Sequence, residues 1–275
     1  MREISEVQEI QAIALDILEY IDRICRENQL HYFMSDGTLL GAVRHKGYIP
    51  WDDDVDIWMP REDYKKIEEI INQDSNAHYR LINRQNTRGY IYGFGKVIDT
   101  RTLLIENIEK KCKMGIYVDI FPYDGLPGKC KEDYEKHVKT CLFWDRQRYP
   151  AFCSYKTVCR NYTTGNRRRF FTWIIRKCIG GKNILRLMDK LSQKYPVEGA
   201  EFVGCLTSGY KAKDMMPAWV CSETVDMAFE DKVFQAPRGY ETFLEIEYGD
   251  YMKLPPKEKQ VSHHDFKAWW NEDER

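Results

Sequence analysis

The most informative part of the sequence is Phe33-Met-Ser-Asp-Gly-Thr-Leu-Leu-Gly-Ala-Val-Arg-His-Lys-Gly-Tyr-Ile-Pro-Trp-Asp-Asp-Asp-Val-Asp-Ile-Trp-Met59. Its first half predicts a helix, because the apolar residues recur at helical spacing and Ser35 or Asp36 can cap the first turn with a side-chain oxygen. Gly37 and Gly41 leave room for a ligand or another backbone to approach closely. The N-terminus of such a helix is a site for anions, since its first N–H groups are free.

The second half of this stretch carries four aspartates in five positions. We predict that they lie on a strand, where alternation places Asp52, Asp54 and Asp56 on one face and Asp53 on the other. Neighbouring carboxylates on one face repel each other, and Mg²⁺ or Mn²⁺ would relieve that repulsion because hard cations take oxygen ligands. A solvated acidic turn explains an isolated run equally well. The adjacent anion site favours the other interpretation, a site for phosphoryl or nucleotidyl transfer.

Composition and charge narrow the class of protein. The chain has 275 residues, of which 43% are hydrophobic and 31% charged, so we expect one large folded domain or one domain with an appendage. A formal net charge of −1 argues against a dedicated nucleic-acid binder, which needs a basic face. No apolar run approaches the roughly 20 residues that span a bilayer, and the N-terminus does not resemble a secretory signal. We therefore expect a cytoplasmic protein.

The nine cysteines fit a reducing compartment. Their number is odd, none forms a C-x-x-C pair, and no histidine stands at zinc-finger spacing from them. We expect free thiols rather than disulfides, with a structural zinc site built from distant cysteines as the alternative.

Hydrophobic periodicity predicts mixed structure on either side of a mainly helical region. Helices are predicted at 3–28, from 60 onward, and at 131–149, 167–179, 183–195 and 240–248; strands are predicted at 30–34, 79–82, 91–98, 102–105, 115–124, 202–206 and 231–237. The basic run Arg167–Arg169 can contact phosphates or a membrane surface, although a solvated helix start is the simpler interpretation.

Asp119 lies in the middle of the predicted strand at 115–124, between apolar residues. An acidic residue there needs a partner, unless the strand lies at the edge of a sheet. Asp124 comes just before Gly125, which favours a role in a turn.

Three blocks of the chain resemble, in the same order, the motifs of the LicD family, whose members include bacterial phosphocholine transferases and whose relatives include the fukutin-related proteins. They are Gly-Thr-Leu-Leu-Gly-Ala-Val-Arg-His-Lys-Gly-Tyr-Ile-Pro-Trp-Asp-Asp-Asp-Val-Asp-Ile (37–57), Val-Asp-Ile-Phe-Pro-Tyr-Asp (118–124) and Tyr-Gly-Asp-Tyr-Met-Lys-Leu-Pro-Pro (248–256). The first block is long enough to make coincidence negligible. The region from about 130 to 200 carries no motif of this kind.

The resemblance implies an α+β fold, with a nucleotidyltransferase-like mixed sheet flanked by helices and a mainly helical insertion. We predict a catalytic core at 1–130, a helical region at 131–200, and a C-terminal segment at 201–275 that packs back on the core and completes the substrate site. The resemblance also implies a reaction. Family members move a phospho-alcohol group from a CDP-alcohol, most often CDP-choline, to a sugar hydroxyl of a surface glycan and release CMP. Teichoic acid, lipopolysaccharide and their lipid-linked precursors are acceptors of this kind.

The same resemblance assigns the acidic residues. Asp54 and Asp56 match the metal-binding D-x-D, and Asp119 matches the third carboxylate, which can also serve as general base. Asp52 and Asp53 are expected to hold these ligands in position without binding the metal themselves. The expected cofactor is Mg²⁺ or Mn²⁺.

Five residues of the first block are candidates for binding the donor phosphates. The N–H groups of Gly37 and Thr38 would meet phosphate oxygens, and the side chains of Arg44, His45 and Lys46 would stabilise developing charge. A basic cap at a helix C-terminus explains the last three equally well.

If the transferred alcohol is choline, its quaternary ammonium requires an aromatic cage with nearby carboxylates. The aromatic residues that flank the motifs are Trp51, Tyr117, Tyr123, Tyr248 and Tyr251. The sequence does not decide which of them form a cage.

Two other functions stay open at this point. A nucleotidyltransferase that moves NMP from an NTP to a small molecule would use the same metal site and release pyrophosphate. An inactive glycan- or nucleotide-binding relative would keep the fold without the chemistry. A lipid-linked acceptor would also require peripheral contact with the inner face of the membrane, for which residues 165–182 are the candidates.

Overall fold

The computed structural model describes residues 1–75, 78–109, 112–159, 167–207, 215–262 and 265–271; the side chains of 167 and 168 are outside this description. The helices are α1 (Val7–Glu27), α2 (Asp36–His45), α3 (Arg61–Gln73), α4 (Lys131–Phe152), α5 (Tyr155–Cys159), α6 (Arg167–Ile179), α7 (Gly181–Ser192), α8 (Ala218–Cys221) and α9 (Tyr240–Tyr248). The strands are β1 (Arg2–Ile4), β2 (Phe33–Met34), β3 (Asp56–Pro60), β4 (Tyr79–Ile82), β5 (Gly95–Asp99), β6 (Thr102–Glu106), β7 (Tyr117–Gly125), β8 (Phe202–Gly204), β9 (Met215–Pro217), β10 (Thr224–Phe229), β11 (Lys232–Pro237) and β12 (Phe266–Trp270).

The main sheet is mixed, and β7 lies at its centre. Its strand order is β2-β3-β7-β5-β4, with β8 and β9 continuing from the far end of β7. β3 runs parallel to β7, whereas β5 and β8 run antiparallel to it. All nine residues of β7 are buried, because strands pair with it on both sides and helices contact the sheet. This architecture confirms the predicted α+β class with a mixed sheet flanked by helices.

The long N-terminal helix supplies much of the core. Ile10, Ile17, Ile21 and Ile24 of α1 are buried at the predicted 3.6-residue spacing. The helix begins at Val7 rather than at residue 3. The preceding residues form β1, which pairs with β12 from the opposite end of the chain, and a pairing so distant leaves no local pattern.

The predicted acidic strand is wrong in its first part. β3 begins at Asp56, and Asp52, Asp53 and Asp54 lie in the loop before it. The N–H of Asp52 donates to the carbonyl of Ile49 at 2.9 Å, which closes a turn instead of a strand ladder. Aspartate has low strand propensity, so adjacent carboxylates favour the loop until the apolar run begins.

A buried ion network ties the helical region to the sheet. The Asp124 carboxylate, predicted to lie in a turn, is on β7 and only 2% exposed; its Oδ1 accepts a hydrogen bond from Arg61 Nε at 2.9 Å. Asp189 of α7 pairs with the same arginine at 3.4 Å and with Arg84. We call these four residues the arginine–aspartate network. It fixes α7 to the start of α3 and to the central strand.

The C-terminal residues return to the N-terminal part of the fold. β8 pairs with β7, and β12 lies between β1 and β6. Among the described residues between Lys131 and Ser192, helices α4 to α7 account for nearly all positions. The boundaries at residues 130 and 200 stay predictions. All nine cysteines are free thiols. Within the described part of the chain, no helix is both long and apolar enough to cross a membrane.

Candidate active site

Three charged residues lie side by side across the middle of the main sheet. Asp56 on β3 is the register partner of Asp119 on β7, which in turn is the register partner of Lys96 on β5. Residues in register on neighbouring strands point to the same face, so these three side chains form a row. Lys96 is 2% exposed, and its Nζ donates to Asp119 Oδ1 at 2.6 Å. Asp119 therefore has the partner that its position in an apolar strand predicts.

The aspartates of the preceding loop join this row from one side. Carboxylate oxygens of Asp52, Asp53 and Asp54 lie within 4.8 Å of one another. Ser262, from the C-terminal part of the chain, donates to Asp53 Oδ2 at 2.7 Å. The charge of Asp54 acts on Asp56 more strongly than that of any other aspartate. Asp54 is therefore an electrostatic neighbour of Asp56, while the carboxylates whose oxygens lie close enough to share a cation are those of the loop, Asp52, Asp53 and Asp54.

Asp36 is a further carboxylate of the site that sequence analysis considered only as a helix cap. It begins α2 with a left-handed backbone, at φ 48°, and its Oδ2 accepts from Trp58 Nε1 at 3.1 Å. Burial raises the pKa of Asp36 to about 6, and the negative charge of Asp54 adds to the increase. A carboxyl group with this pKa binds protons more readily than an exposed aspartate does.

Like-charge repulsion is strongest at Asp56. Burial raises its pKa well above the ordinary value, and the charges of neighbouring aspartates raise it further. The carboxylates that act on one another here are Asp36, Asp52, Asp54, Asp56 and Asp119, which we call the acidic cluster. Carboxylates concentrated in this way suit a divalent cation, whose ligands are oxygens and whose charge offsets the repulsion. The close carboxylates of Asp52, Asp53 and Asp54 fit Mg²⁺ or Mn²⁺. The ligand set Asp54, Asp56 and Asp119 stays a prediction.

The two residues predicted to donate N–H groups to phosphate also position the acidic cluster. The Thr38 hydroxyl accepts from the backbone N–H of Asp56 at 2.8 Å, which fixes the start of β3. A Cβ on Gly37 would stand 2.7 Å from Asp52 Oδ2, so only glycine lets this carboxylate approach the helix. A Cβ on Gly41 would collide with the carbonyl of Gly47, which confirms the close approach of another backbone there.

The three basic residues at the end of α2 occupy different places. Arg44 donates to the carbonyl of Tyr251 at 2.9 Å and to His45 Nε2 at 2.9 Å. Burial lowers the pKa of His45, and the positive charge of Arg44 lowers it further, so the ring is neutral at pH 7. Lys46 has a left-handed backbone that ends the helix, and its carbonyl accepts from Glu230 N–H. Their roles toward phosphate stay predictions.

A pocket of about 520 Å³ adjoins the acidic cluster, and most of its lining residues come from the first and last motif blocks. Its lining residues are Gly37, Leu40, Arg44, Ile49, Trp51, Asp52, Tyr248, Asp250, Tyr251, Lys253, Pro255, Glu258, Lys259 and Val261. Asp52 belongs to both the pocket and the acidic cluster. We call this cavity the aromatic pocket, because Trp51, Tyr248 and Tyr251 form part of its wall.

The structure separates the five aromatic candidates for a choline cage. Trp51, Tyr248 and Tyr251 line the aromatic pocket with three acidic residues, which are Asp52, Asp250 and Glu258. Their binding role stays a prediction.

The other two aromatic candidates are buried. Tyr123 packs against Phe33 and Trp58 in the core and is 3% exposed, so its place in a cage is a prediction that the structure corrects. Tyr117 lies under Lys96, whose Nζ is 3.4 Å from the ring centroid. A lysine ammonium already occupies the position over this ring that a choline would take.

Several residues of the site were not predicted from the sequence. Lys96 interrupts an apolar strand, a pattern that could have identified it by the argument applied to Asp119. Asp250 stands inside the last motif block, next to the tyrosines that were chosen. The approach of Asp36 to the acidic cluster follows from the tertiary fold, since Trp58 and Asp54 are distant in sequence.

The mixed sheet flanked by helices is consistent with a nucleotidyltransferase-like fold, and comparisons with known proteins agree. The family described as LicD/FKTN/FKRP, nucleotidyltransferase domain, matches residues 29–157, a range that holds the whole acidic cluster. The protein named lipopolysaccharide cholinephosphotransferase LicD of Haemophilus influenzae is 30% identical over 274 residues, which are 94% of this chain and 96% of that protein. Uncharacterized proteins of Rickettsia typhi and Rickettsia prowazekii are each 31% identical over 43% and 45% of this chain. The chain belongs to the LicD family.

Proposed function

We propose that this protein transfers a phospho-alcohol group, most specifically phosphocholine from CDP-choline, to a sugar hydroxyl of a cell-surface glycan or its lipid-linked precursor. The observation that carries the proposal is the shared residue Asp52, which joins the acidic cluster to the aromatic pocket. A CDP-choline molecule needs both environments, one for its diphosphate and one for its quaternary ammonium. The name of the Haemophilus influenzae relative supports the choice of choline and of a lipopolysaccharide-type acceptor.

The acidic cluster would hold the divalent cation, with Asp54, Asp56 and Asp119 as its ligands. When bound, the cation would neutralise charge on the donor diphosphate and promote loss of the proton from the attacking hydroxyl. Lys96 orients Asp119 through the 2.6 Å hydrogen bond, so the carboxylate stays placed for a proton transfer. The first N–H groups of α2 and the guanidinium of Arg44 would face the phosphate oxygens.

The reaction balances as a single substitution at phosphorus. The oxygen of the sugar hydroxyl forms a bond to the phosphorus that carries choline, and the bond from that phosphorus to the oxygen of CMP breaks. The electron pair leaves with CMP. The hydroxyl proton goes to Asp119, acting as general base, and then to water. The products are a phosphocholine diester on the glycan and free CMP.

Choline would bind in the aromatic pocket. Trp51, Tyr248 and Tyr251 offer ring faces, while Asp52 and Asp250 offer negative charge. A quaternary ammonium has no N–H to donate, so ring faces and nearby carboxylates are the groups that recognise it.

The test is release of CMP. Purified protein is incubated with CDP-choline, Mg²⁺ and a lipopolysaccharide acceptor, and CMP is measured by chromatography. We expect release that requires both Mg²⁺ and the acceptor and that disappears in Asp54→Asn. The matched control is Asp231→Asn, an exposed aspartate beside the β10–β11 hairpin turn, which should retain activity. Failure to release CMP from CDP-choline or any other CDP-alcohol would refute the proposal.

True nucleotidyl transfer is the second candidate, because the matching family description names a nucleotidyltransferase domain. The same acidic cluster would serve, with an NTP as donor and pyrophosphate as product. Pyrophosphate release from an NTP, without CMP release from a CDP-alcohol, would favour this candidate.

A further inference from the structure

One segment of the chain differs in charge from all the rest. From Arg146 to Met188 the sequence has 11 lysines and arginines and no aspartate or glutamate. Because the whole chain has 42 basic and 43 acidic residues, the remainder carries 31 basic and 43 acidic residues. A long block of basic charge within a chain of formal net charge −1 indicates contact with a polyanionic surface.

α6 lies in this segment and exposes large apolar side chains. Phe171 is 61% exposed and Ile175 58%, and the two lie one helical turn apart on the same face. Phe170, beside them, is 41% exposed. Exposed apolar residues are ordinary when they are scattered, but these three are concentrated on a single helix among basic residues.

Other residues of α6 hold the helix against α4 and so keep this face outward. Trp173 Nε1 donates to the carbonyl of Cys153 at 3.0 Å, and Arg176 Nε donates to the side chain of Gln147 at 2.8 Å. Phe143, which is 55% exposed, lies one turn before Gln147 on α4. A further exposed aromatic side chain thus lies on α4, one turn from the residue that contacts α6.

Basic residues are frequent in the helices that carry these exposed apolar side chains. The exposed ones among the described residues of the segment are Arg146, Lys156, Lys177, Lys182 and Arg186. Three further arginines begin α6. Apolar side chains on one face of a helix with lysines and arginines around them are typical of helices that lie in the interface of a membrane.

We propose that α6, with the adjoining turns of α4 and α7, docks on the surface of an anionic lipid bilayer and inserts Phe171 and Ile175 into the headgroup region. The basic residues bind the lipid phosphates, and the absence of acidic residues from the segment avoids repulsion. A nucleic acid would use the same charge, but it has no use for an exposed aliphatic side chain such as Ile175.

Docking would bring the active site to a lipid-linked acceptor. This consequence rests on the proposed function, whereas the docking itself does not. The arginine–aspartate network connects α7 to β7, the strand that carries Asp119. A protein docked through α6 and α7 therefore holds its acidic cluster at a fixed distance from the bilayer.

The test measures sedimentation of the full chain with vesicles, in the absence of CDP-choline. We expect binding to vesicles of phosphatidylcholine with phosphatidylglycerol and no binding to phosphatidylcholine alone. Phe171→Ser with Ile175→Ser should weaken binding about tenfold or more, because the apolar anchor is lost. Lys177→Glu with Lys182→Glu should weaken it by a similar factor. Val233→Ser is the matched control, since Val233 is 51% exposed on the β10–β11 hairpin and should not affect binding.

A second measurement does not depend on a loss of binding. Phe171→Trp should show a blue-shifted emission with anionic vesicles and quenching by brominated acyl chains, beyond the response of the unsubstituted protein. Equal quenching in both proteins, or wild-type binding by the Phe171→Ser, Ile175→Ser variant, would contradict insertion. Complete displacement from vesicles by single-stranded nucleic acid would assign the surface to nucleic acid instead. Because no donor is present, failure of the proposed reaction would leave this result unaffected.

Discussion

Asp119 and Asp124 lie on the same strand and are both buried, yet their surroundings differ in charge. Asp124 belongs to the arginine–aspartate network, in which two carboxylates meet two guanidinium groups. Asp119 pairs with Lys96, but it also belongs to the acidic cluster, in which the charges of four aspartates, its own among them, act on its neighbour Asp56. Breaking a buried charge pair is strongly destabilising, whereas carboxylates that repel one another destabilise the fold while they stay charged. We therefore expect Asp124 to matter for folding and the acidic cluster to matter for the proposed reaction.

The largest expected effect concerns activity. Asp54→Asn or Asp56→Asn should lower the rate of CMP release by about 10³-fold, because each removes a charged oxygen ligand from the cation site. The measurement is CMP release from CDP-choline under saturating Mg²⁺. Circular dichroism should show that the variants remain folded. Retention of more than about a tenth of the activity in both variants would place the reaction elsewhere.

At the other end of β7 we expect a substitution to lower stability rather than activity. Asp124→Ala should lower the free energy of unfolding by about 3–5 kcal/mol, because it leaves the Arg61 guanidinium buried with less negative charge around it. Urea denaturation measures the change. Asp56→Asn should not destabilise the metal-free protein in the same assay, since it removes a repelling charge. Equal destabilisation by the two substitutions would remove the distinction between the sites.

A metal should change stability only through the acidic cluster. At a concentration about 100 times its dissociation constant, Mn²⁺ should raise the free energy of unfolding by about 2.7 kcal/mol. Thermal denaturation with and without Mn²⁺ measures this increase, which we expect to vanish in Asp56→Asn. A melting temperature that rises equally in wild type and variant would show that the cation binds elsewhere.

The stability of the metal-free protein should depend on pH in a definite direction. The folded protein holds the Asp36 proton more tightly than the unfolded chain does, because burial raises its pKa to about 6. The stability that this proton confers is present below the unfolded pKa and is lost as the pH rises toward about 6. In metal-free protein, Asp36→Asn should reduce this loss, as measured by denaturant unfolding between pH 4 and pH 7. An unchanged pH profile would contradict the raised pKa.

The smallest effect is expected in the aromatic pocket. Trp51→Ala should raise the KM for CDP-choline about tenfold while changing kcat less, because a cation–π contact binds the ground state and the transition state alike. Steady-state kinetics with CDP-choline and CDP-ethanolamine separate recognition of the quaternary ammonium from general packing. An equal loss for both donors would argue against a choline cage.

Local patterns predicted the helices better than the site. α6 and α9 have the predicted bounds, since each has an apolar stripe, and a glycine follows α9. The acidic loop was predicted as a strand, because alternation of charged and apolar residues looks the same in both.

The remaining differences depend on contacts between distant residues. The hydrogen bond between Lys96 and Asp119 requires the pairing of β5 and β7, and the burial of Tyr123 requires Phe33 and Trp58 around it. A sequence pattern contains no information on which aromatic rings face a pocket and which lie in the core. The resemblance identified the motif residues, while their partners emerged only from the tertiary structure.

A calorimetric titration with Mn²⁺ at pH 7 is the most direct test of whether the acidic cluster binds a divalent cation. We predict saturable binding to the wild-type protein, its loss in Asp56→Asn, and its retention in Asp231→Asn. Binding should weaken as the pH falls toward 6, since Asp36 then takes up a proton that competes with the cation. Equal Mn²⁺ binding by wild type and Asp56→Asn, or CMP release by a protein that binds no divalent cation, would contradict a cation site in the acidic cluster.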